Sequence, residues 1–443
     1  MRPGALRRVS RDGDRTETGR NDTVRTVAGV DRRSFIRAVG LASLGVALPG
    51  LASACGSDGP EASGDTTAGS GGGGPKRKVN LGFIALTDCA PIVMAQELGY
   101  YDERDLEVSV VKQASWPATR DALLAGQIDG AHCLFGMPFS LATGIGGQSR
   151  DLQIAMMLNQ NGQAITLASA LADAGYADLD AAHDALASAG TPALGMTFPG
   201  GTHDVWLRYW LRATGTGLDD VKIDPIPPPQ MVQNMATDTV SGYCVGEPWN
   251  AVAVRQGIGF THLATQDLWE HHPEKALVVS RGFASTQPDV LRDLMAATLQ
   301  ASRWLDDPAN RSEAADTLGV EAYVNAPAEE IRGRLTGTYD LGADLGERTF
   351  EGNQMRFFRD GQVPFPRRAH GYWFLAQYQR LGYLDEAPPY AEIVDDLILT
   401  DLYAEVAEAE GVAVPDDDMS PFEVRLDEIT FDPADPEEEA QRP

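Results

Sequence analysis

Val79–Leu86 (VNLGFIAL) is followed by Ala90–Leu98, which ends at Gly99, and then by Leu106–Val111 (LEVSVV), whose apolar residues alternate. An apolar run between polar flanks predicts a buried strand, and alternation predicts a half-buried one. Thr119–Ala125, stopped by Gly126, predicts a second helix, and Ile128–Cys133 and Leu152–Met157 predict two more buried strands. Strand and helix in alternation predict a parallel α/β sheet covered on both faces. The pattern then restarts. Leu194–Phe198, Val221–Ile226 and Ser241–Val245 read as strands, and Asp204–Thr214 and Met231–Ala236 as helices. This is a second α/β unit inserted in the first. From about residue 276 onward helices dominate, at Pro288–Trp304, Ser312–Leu318, Pro327–Thr336, Gly371–Leu381 and Tyr390–Ala409. The chain's 443 residues suit two or three domains.

The first 54 residues read as an address rather than as structure. They hold ten Arg against five Asp and Glu, and Asp31-Arg32-Arg33-Ser34-Phe35-Ile36-Arg37 precedes an apolar stretch from Ala38 to Ala54. A basic region, a short apolar core and small terminal residues form an export signal, and the Arg pair is similar to the twin-arginine pattern. Leu51-Ala52-Ser53-Ala54-Cys55 resembles a lipoprotein cleavage box, in which Cys55 becomes the lipidated first residue. Residues 55–77, rich in Gly, Ser and Thr, predict a flexible tether. The expectation is a protein exported and anchored to the outer face of the cytoplasmic membrane.

The body carries the chain's acidity, a net charge of −28 overall, which argues against nucleic acid as a partner. Cys89, Cys133 and Cys244 have apolar or small neighbours and no zinc-type spacing, so they are expected to be buried small hydrophobes. No phosphate loop, serine elbow or zinc-protease helix occurs, and no enzyme is expected. The last 30 or so residues, with Asp416-Asp417-Asp418 and Glu437-Glu438-Glu439, are expected at the surface or frayed. A tethered chain with two α/β units suggests a solute receptor with its ligand in the cleft between them.

Seven strings narrow this reading. They are Leu86-Thr87-Asp88-Cys89-Ala90-Pro91, Ala114-Ser115-Trp116, the run Leu158–Thr166 (LNQNGQAIT), Arg208-Tyr209-Trp210-Leu211, Ile226-Pro227-Pro228-Pro229-Gln230-Met231-Val232, Val245-Gly246-Glu247-Pro248-Trp249-Asn250 and the run Trp269–Lys275 (WEHHPEK). Together they resemble the nitrate/bicarbonate-binding protein family of bacterial ABC importers, from about Val79 to about Pro433. The resemblance implies a two-lobe periplasmic-binding-protein-like II (Venus-flytrap) fold with a mostly helical C-terminal extension. The expected layout is residues 78–168 plus 266–433 as lobe 1, 169–265 as lobe 2 and 434–443 as an acidic tail.

Nitrate is planar, singly charged and only an acceptor, so its receptor needs donors and one compensating cation. The resemblance points to Trp116, Gln163, His203 and Lys275. Thr202 is a further candidate, either as a ligand donor or as the cap of the helix that follows. Asp88, Gly201 and Glu247 are candidates for lining the pocket, with structural roles preferred for the two carboxylates. His132 reads as a satisfied core histidine, and the adjacent His271 and His272 as a poor metal pair. Nitrate-type relatives carry Lys at position 275, whereas bicarbonate-type relatives carry an acidic residue there and use calcium. The adjacent Glu274 is a rival: a small shift in register would place its carboxylate in the pocket. The expected protein is a monomer without metal or cofactor that delivers nitrate, or nitrite, to a membrane permease powered by an ATPase. The alternatives are calcium-dependent bicarbonate binding, or another small solute such as a sulfonate.

Overall fold

The computed structural model describes residues 76–190 and 192–443. The expected leader (1–54), Cys55 and the tether up to residue 75 lie outside the described residues. Arg77 already belongs to the first strand.

Ten strands form two five-stranded sheets. The first contains β1 (Arg77–Phe83), β2 (Leu106–Lys112), β3 (Gly130–Leu134), β4 (Leu152–Gln160) and, far along the chain, β10 (Pro273–Ser280), in the order β2-β1-β3-β10-β4. The second contains β5 (Gln163–Ala168), β6 (Ala193–Met196), β7 (Lys222–Pro225), β8 (Gly242–Gly246) and β9 (Gly259–Ala264), in the order β7-β6-β8-β5-β9. β1, β2 and β3 run parallel, as the alternating pattern predicts. The sheets are nevertheless mixed, because β10 runs antiparallel to both its neighbours and β5 antiparallel to β8 and β9. These two strands are the ones that enter a sheet from the other lobe.

The chain crosses between sheets in two short segments. Asn161-Gly162 joins β4 to β5, with φ of 62° and 93°, a left-handed pair that lets the chain turn in two residues. Residues 265–272 carry it back from β9 to β10. Residues 163–168 therefore pair within the second sheet, not in the first lobe where the sequence reading put them. β10 has no counterpart among the expected strands; helices were expected to dominate from about residue 276 onward, with Pro288–Trp304 the first of them. Its Ala276–Val279 is an apolar run too short for periodicity to separate strand from buried helix.

The helical extension packs mainly on the first lobe. Pro288–Asp306 lies against Ala90–Glu97. The predicted helix Tyr390–Ala409 is two helices, Tyr390–Leu397 and Thr400–Ala409, broken at Ile398. Ile398 is extended and bridges Ile154, while the Leu399 amide donates to the Ile154 carbonyl at 2.9 Å, so tertiary pairing overrides helix propensity there. Helix Arg368–Arg380 reaches the seam between lobes with Trp373, Phe374 and Tyr378. The acidic C-terminal segment lies largely at the surface, as expected, but its end is tied down rather than frayed. Glu439 is buried and accepts from Gln377 Nε2 at 2.6 Å and from Arg380 Nη1 at 3.1 Å. The three body cysteines are free and buried, as expected, and burial pushes the Cys133 thiol up to about 12.

Candidate functional site

Lys275, near the start of β10, sits at the centre of a buried cluster between the two sheets. Its Nζ lies 2.7 Å from Asp88 Oδ2 and 2.5 Å from Glu274 Oε1, and all three side chains are fully buried. Asp88 belongs to the 3₁₀ turn Thr87–Cys89 that follows β1, and its other oxygen meets His132 Nε2 of β3 at 2.6 Å. His132 is the buried, hydrogen-bonded histidine expected, and its partner Asp88 ties it to the cluster.

The second lobe supplies helix Thr202–Ala213, which Gly201 caps through its extended backbone. A Cβ on Gly201 would lie 2.7 Å from Leu134 Cδ1 and 3.0 Å from the Phe198 carbonyl oxygen, so the lobes approach closely there and leave little room for a side chain. Thr202 is the first helical residue rather than the cap, and its hydroxyl donates to Glu274 Oε1 at 2.9 Å. His203 bonds Thr197 Oγ1 through Nδ1 at 2.6 Å, leaving Nε2 3.5 Å from Glu274 Oε1. Trp206 Nε1 donates to Glu274 Oε2 at 3.5 Å.

Trp116 opens helix Trp116–Leu124, fixed by the Ser115 cap and by Pro117 in its first turn. Its ring stands 5.8 Å from Lys275 Nζ, a cation–π distance. Gln163 begins β5 beside the first crossover and pairs with Gly246, where a Cβ would sit 3.3 Å from Asp88 Oδ2. Six buried polar atoms of this region have no protein partner of good geometry: Trp116 Nε1, both amide atoms of Gln163, His203 Nε2, His132 Nδ1 and Thr87 Oγ1. Each such atom costs about 1–3 kcal/mol unless something bonds it, which is the signature of a polar ligand site.

Of the residues expected from the sequence, Trp116, Thr202, His203, Lys275 and Asp88 come together in one cluster. Gly201 shapes it, and Gln163 stands at its edge outside the hydrogen-bonded network. Glu247 does not join. Its carboxylate lies 3.1 Å from Arg334 Nε and accepts from the Ala251 amide at 3.3 Å, a structural role. His272 is buried with its ring on Trp206 at 4.9 Å, while His271 is partly exposed, so they make no pair. Glu274, the rival of Lys275 in the sequence reading, enters the cluster together with Lys275 rather than in its place, and Trp206 was not expected there.

Electrostatics divide the cluster into fixed and variable charges. Burial would raise the Asp88 carboxyl, but Lys275 and then His132 overcome it and hold it down to about 2. Burial opposes the Lys275 charge, yet Asp88 and Glu274 push its value above the ordinary one. Burial and the Lys275 ammonium drive His203 well below its usual range, and burial lowers His132 despite Asp88, so both rings are neutral near pH 7. For Glu274 burial wins over the pull of Lys275, and its carboxyl rises to about 7.

Two α/β lobes joined by two crossovers, with a buried polar cluster between them, define a solute receptor of the periplasmic-binding-protein type. The chain belongs to the NMT1-like family, whose model matches residues 72–319. It is 39% identical over 375 residues to the nitrate/nitrite binding protein NrtA of Nostoc, covering 82% of this chain and 84% of that one. It is 37% identical to the nitrate import ATP-binding protein NrtC of Synechocystis, covering 83% of this chain but 55% of that longer one. The crystal structure of the periplasmic nitrate-binding protein NrtA from Synechocystis superposes with a TM-score of 0.77 at 35% identity, covering 82% of this chain and 98% of that one.

Proposed function

We propose that the protein is the extracytoplasmic solute-binding component of an ABC importer, and that it captures nitrate, and nitrite by the same donors, in the cleft between its lobes. The observation that carries this reading is the buried Lys275 ammonium, flanked by neutral donors with free valence: Trp116 Nε1, Gln163 Nε2 and His203 Nε2. An acceptor-only monoanion uses all of them, and the ammonium supplies its countercharge without a metal. The names of the NrtA relatives support the same ligand. Closure of the lobes excludes water and presents the loaded form to a permease, and the likeness to an import ATP-binding protein supports an ATPase as the further partner. No covalent step is needed, so the protein is a receptor and not an enzyme. The leader fits export by the twin-arginine route and anchoring through lipidated Cys55, with the receptor working as a monomer. No described helix is long and apolar enough to cross a membrane.

Isothermal titration tests the ligand. Nitrate should bind without added metal and should fail to bind Lys275→Glu protein. Bicarbonate bound only with calcium, and nitrate not at all, would overturn the assignment.

A further inference from the structure

Glu274 receives what an anion should receive. Lys275 Nζ and Thr202 Oγ1 reach its Oε1 at 2.5 and 2.9 Å, His203 Nε2 stands 3.5 Å from the same oxygen, and Trp206 Nε1 points to Oε2 at 3.5 Å. A carboxylate is planar and delocalised, and it accepts hydrogen bonds at its oxygens as nitrate does. Three of these four donors come from the helix of the second lobe, so Glu274, on the first lobe's β10, is itself bound across the cleft.

We propose that Glu274 is the built-in occupant of Lys275 and His203, two members of the anion's donor set, and that a small planar monovalent oxyanion enters only together with one proton, which Glu274 takes up. The inference rests on the anion-receptor reading above and adds the stoichiometry of capture. With Asp88 and Glu274 both ionised, the single Lys275 ammonium leaves the buried cluster at one net negative charge. A second buried negative charge from the ligand would be costly. The balance is simple: the carboxylate gains a proton from solvent, becomes a neutral acid that can donate to the ligand or to Asp88, and releases the Lys275 ammonium to the anion. No other bond is made or broken.

The surroundings single out Glu274 for this exchange. Facing it are Lys275 beside it in β10, Asp88 from the turn after β1, Cys244 from β8 and His203 from the second-lobe helix, with His132 of β3 behind Asp88 and His272 behind Trp206. Burial keeps the Cys244 thiol protonated and the three imidazoles neutral, while Asp88 and Lys275 stay charged. Glu274, raised to about 7, is the group of this set that changes charge near neutrality.

The test is calorimetric titration of nitrate into the full chain from pH 6 to 9, in two buffers of different ionisation enthalpy. Affinity should level off at the acid end and weaken toward about tenfold per pH unit above neutrality, with about one proton taken up per anion at pH 8. Glu274→Gln protein should bind with no pH dependence and, at pH 8, about tenfold more tightly than wild type. A flat wild-type profile with no proton uptake, or a Glu274→Gln protein that binds more weakly at every pH, would reduce Glu274 to a partner of Lys275 and overturn the inference while leaving the nitrate reading intact. Silence toward nitrate from both proteins at every pH would remove the nitrate reading, and this inference with it. If Glu274→Gln protein does not fold, the wild-type proton count decides.

Discussion

Glu274 and Lys275 are consecutive in β10, yet their charged ends meet at 2.5 Å. Neighbours in a regular strand point to opposite faces. Here the pairing of β10 with β4 slips between Pro273 and Lys275 and again between Lys275 and Ala276, and the Lys275 amide is held instead by the Asn159 side chain at 3.1 Å. An irregularity of this kind re-aims a side chain. Removing the ammonium would leave two buried carboxylates unpaired. Lys275→Met should therefore abolish nitrate binding and cost about 3–5 kcal/mol of stability, as read from denaturant midpoints at neutral pH. Full stability in this variant would show that the three charges do not meet as described.

Trp116 separates binding from folding more cleanly. Its ring is buried, but its indole N–H has no protein acceptor. Trp116→Phe keeps most of the aromatic wall and the contact with the His132 ring, while deleting only the donor. If the N–H serves the anion, affinity should fall by about tenfold to 150-fold, as expected for a hydrogen bond to a charged group, and the melting temperature should hardly move. Equal losses in both would make Trp116 a core residue and nothing more.

The sequence carried much of the fold because buried strands and amphipathic helices leave local signatures. Val79–Leu86 and Ile128–Cys133 overlap β1 and β3, and Met231–Ala236 is the observed helix. β10 escaped because its position is decided by pairing with β3 and β4, more than a hundred residues earlier in the chain. The candidate cluster was legible at Trp116, His203 and Lys275 through the family resemblance, which points to those positions. It was not legible where geometry assigns the role. His132 became part of the cluster through Asp88, and Glu274 through a pairing irregularity that a strand pattern does not encode. The break at Ile398 is likewise a tertiary contact with Ile154 inside a stretch that favours helix throughout.

Tyr378 bridges the two lobes. Its hydroxyl lies 2.9 Å from the Gly136 carbonyl of the first lobe and 2.6 Å from the Gly200 carbonyl of the second. One proton is shared between two acceptors across the seam, and Ser140 Oγ adds a parallel bond to the Pro199 carbonyl at 2.7 Å. Tyr378→Phe preserves the ring packing and removes the bridge. A net loss of about 1 kcal/mol would weaken nitrate binding about fivefold by depleting the closed state, without touching any anion donor. Small-angle scattering should then show a larger mean radius for the variant, and an unchanged radius and affinity would remove Tyr378 from the closure.

Acid stability supplies the last prediction. Burial pushes His272 down to about 3 from an ordinary 6.5, and its ring packs on Trp206 and bonds Thr265 Oγ1 at 2.8 Å. Between those two values the unfolded chain binds the proton that the folded ring refuses. The His272 contribution is therefore complete above pH 6.5 and is lost as pH falls, by about 1.4 kcal/mol per unit. His203 adds to this in the same direction. Glu274 acts oppositely: its carboxyl rises from an ordinary 4.5 to about 7, so the folded protein binds the extra proton and stability falls as pH rises through that window. Between pH 4.5 and 6.5 Glu274 offsets the loss from one histidine; below 4.5 that offset is gone, and Asp88, held down to about 2, adds its own loss below its ordinary 3.8. Urea midpoints should accordingly decline gently at first and steeply below about pH 4.5. In Glu274→Gln protein the decline should already be steep between 6.5 and 4.5, because the offset is gone. Parallel curves for the two proteins would mean that the Glu274 carboxyl is not raised in the folded state.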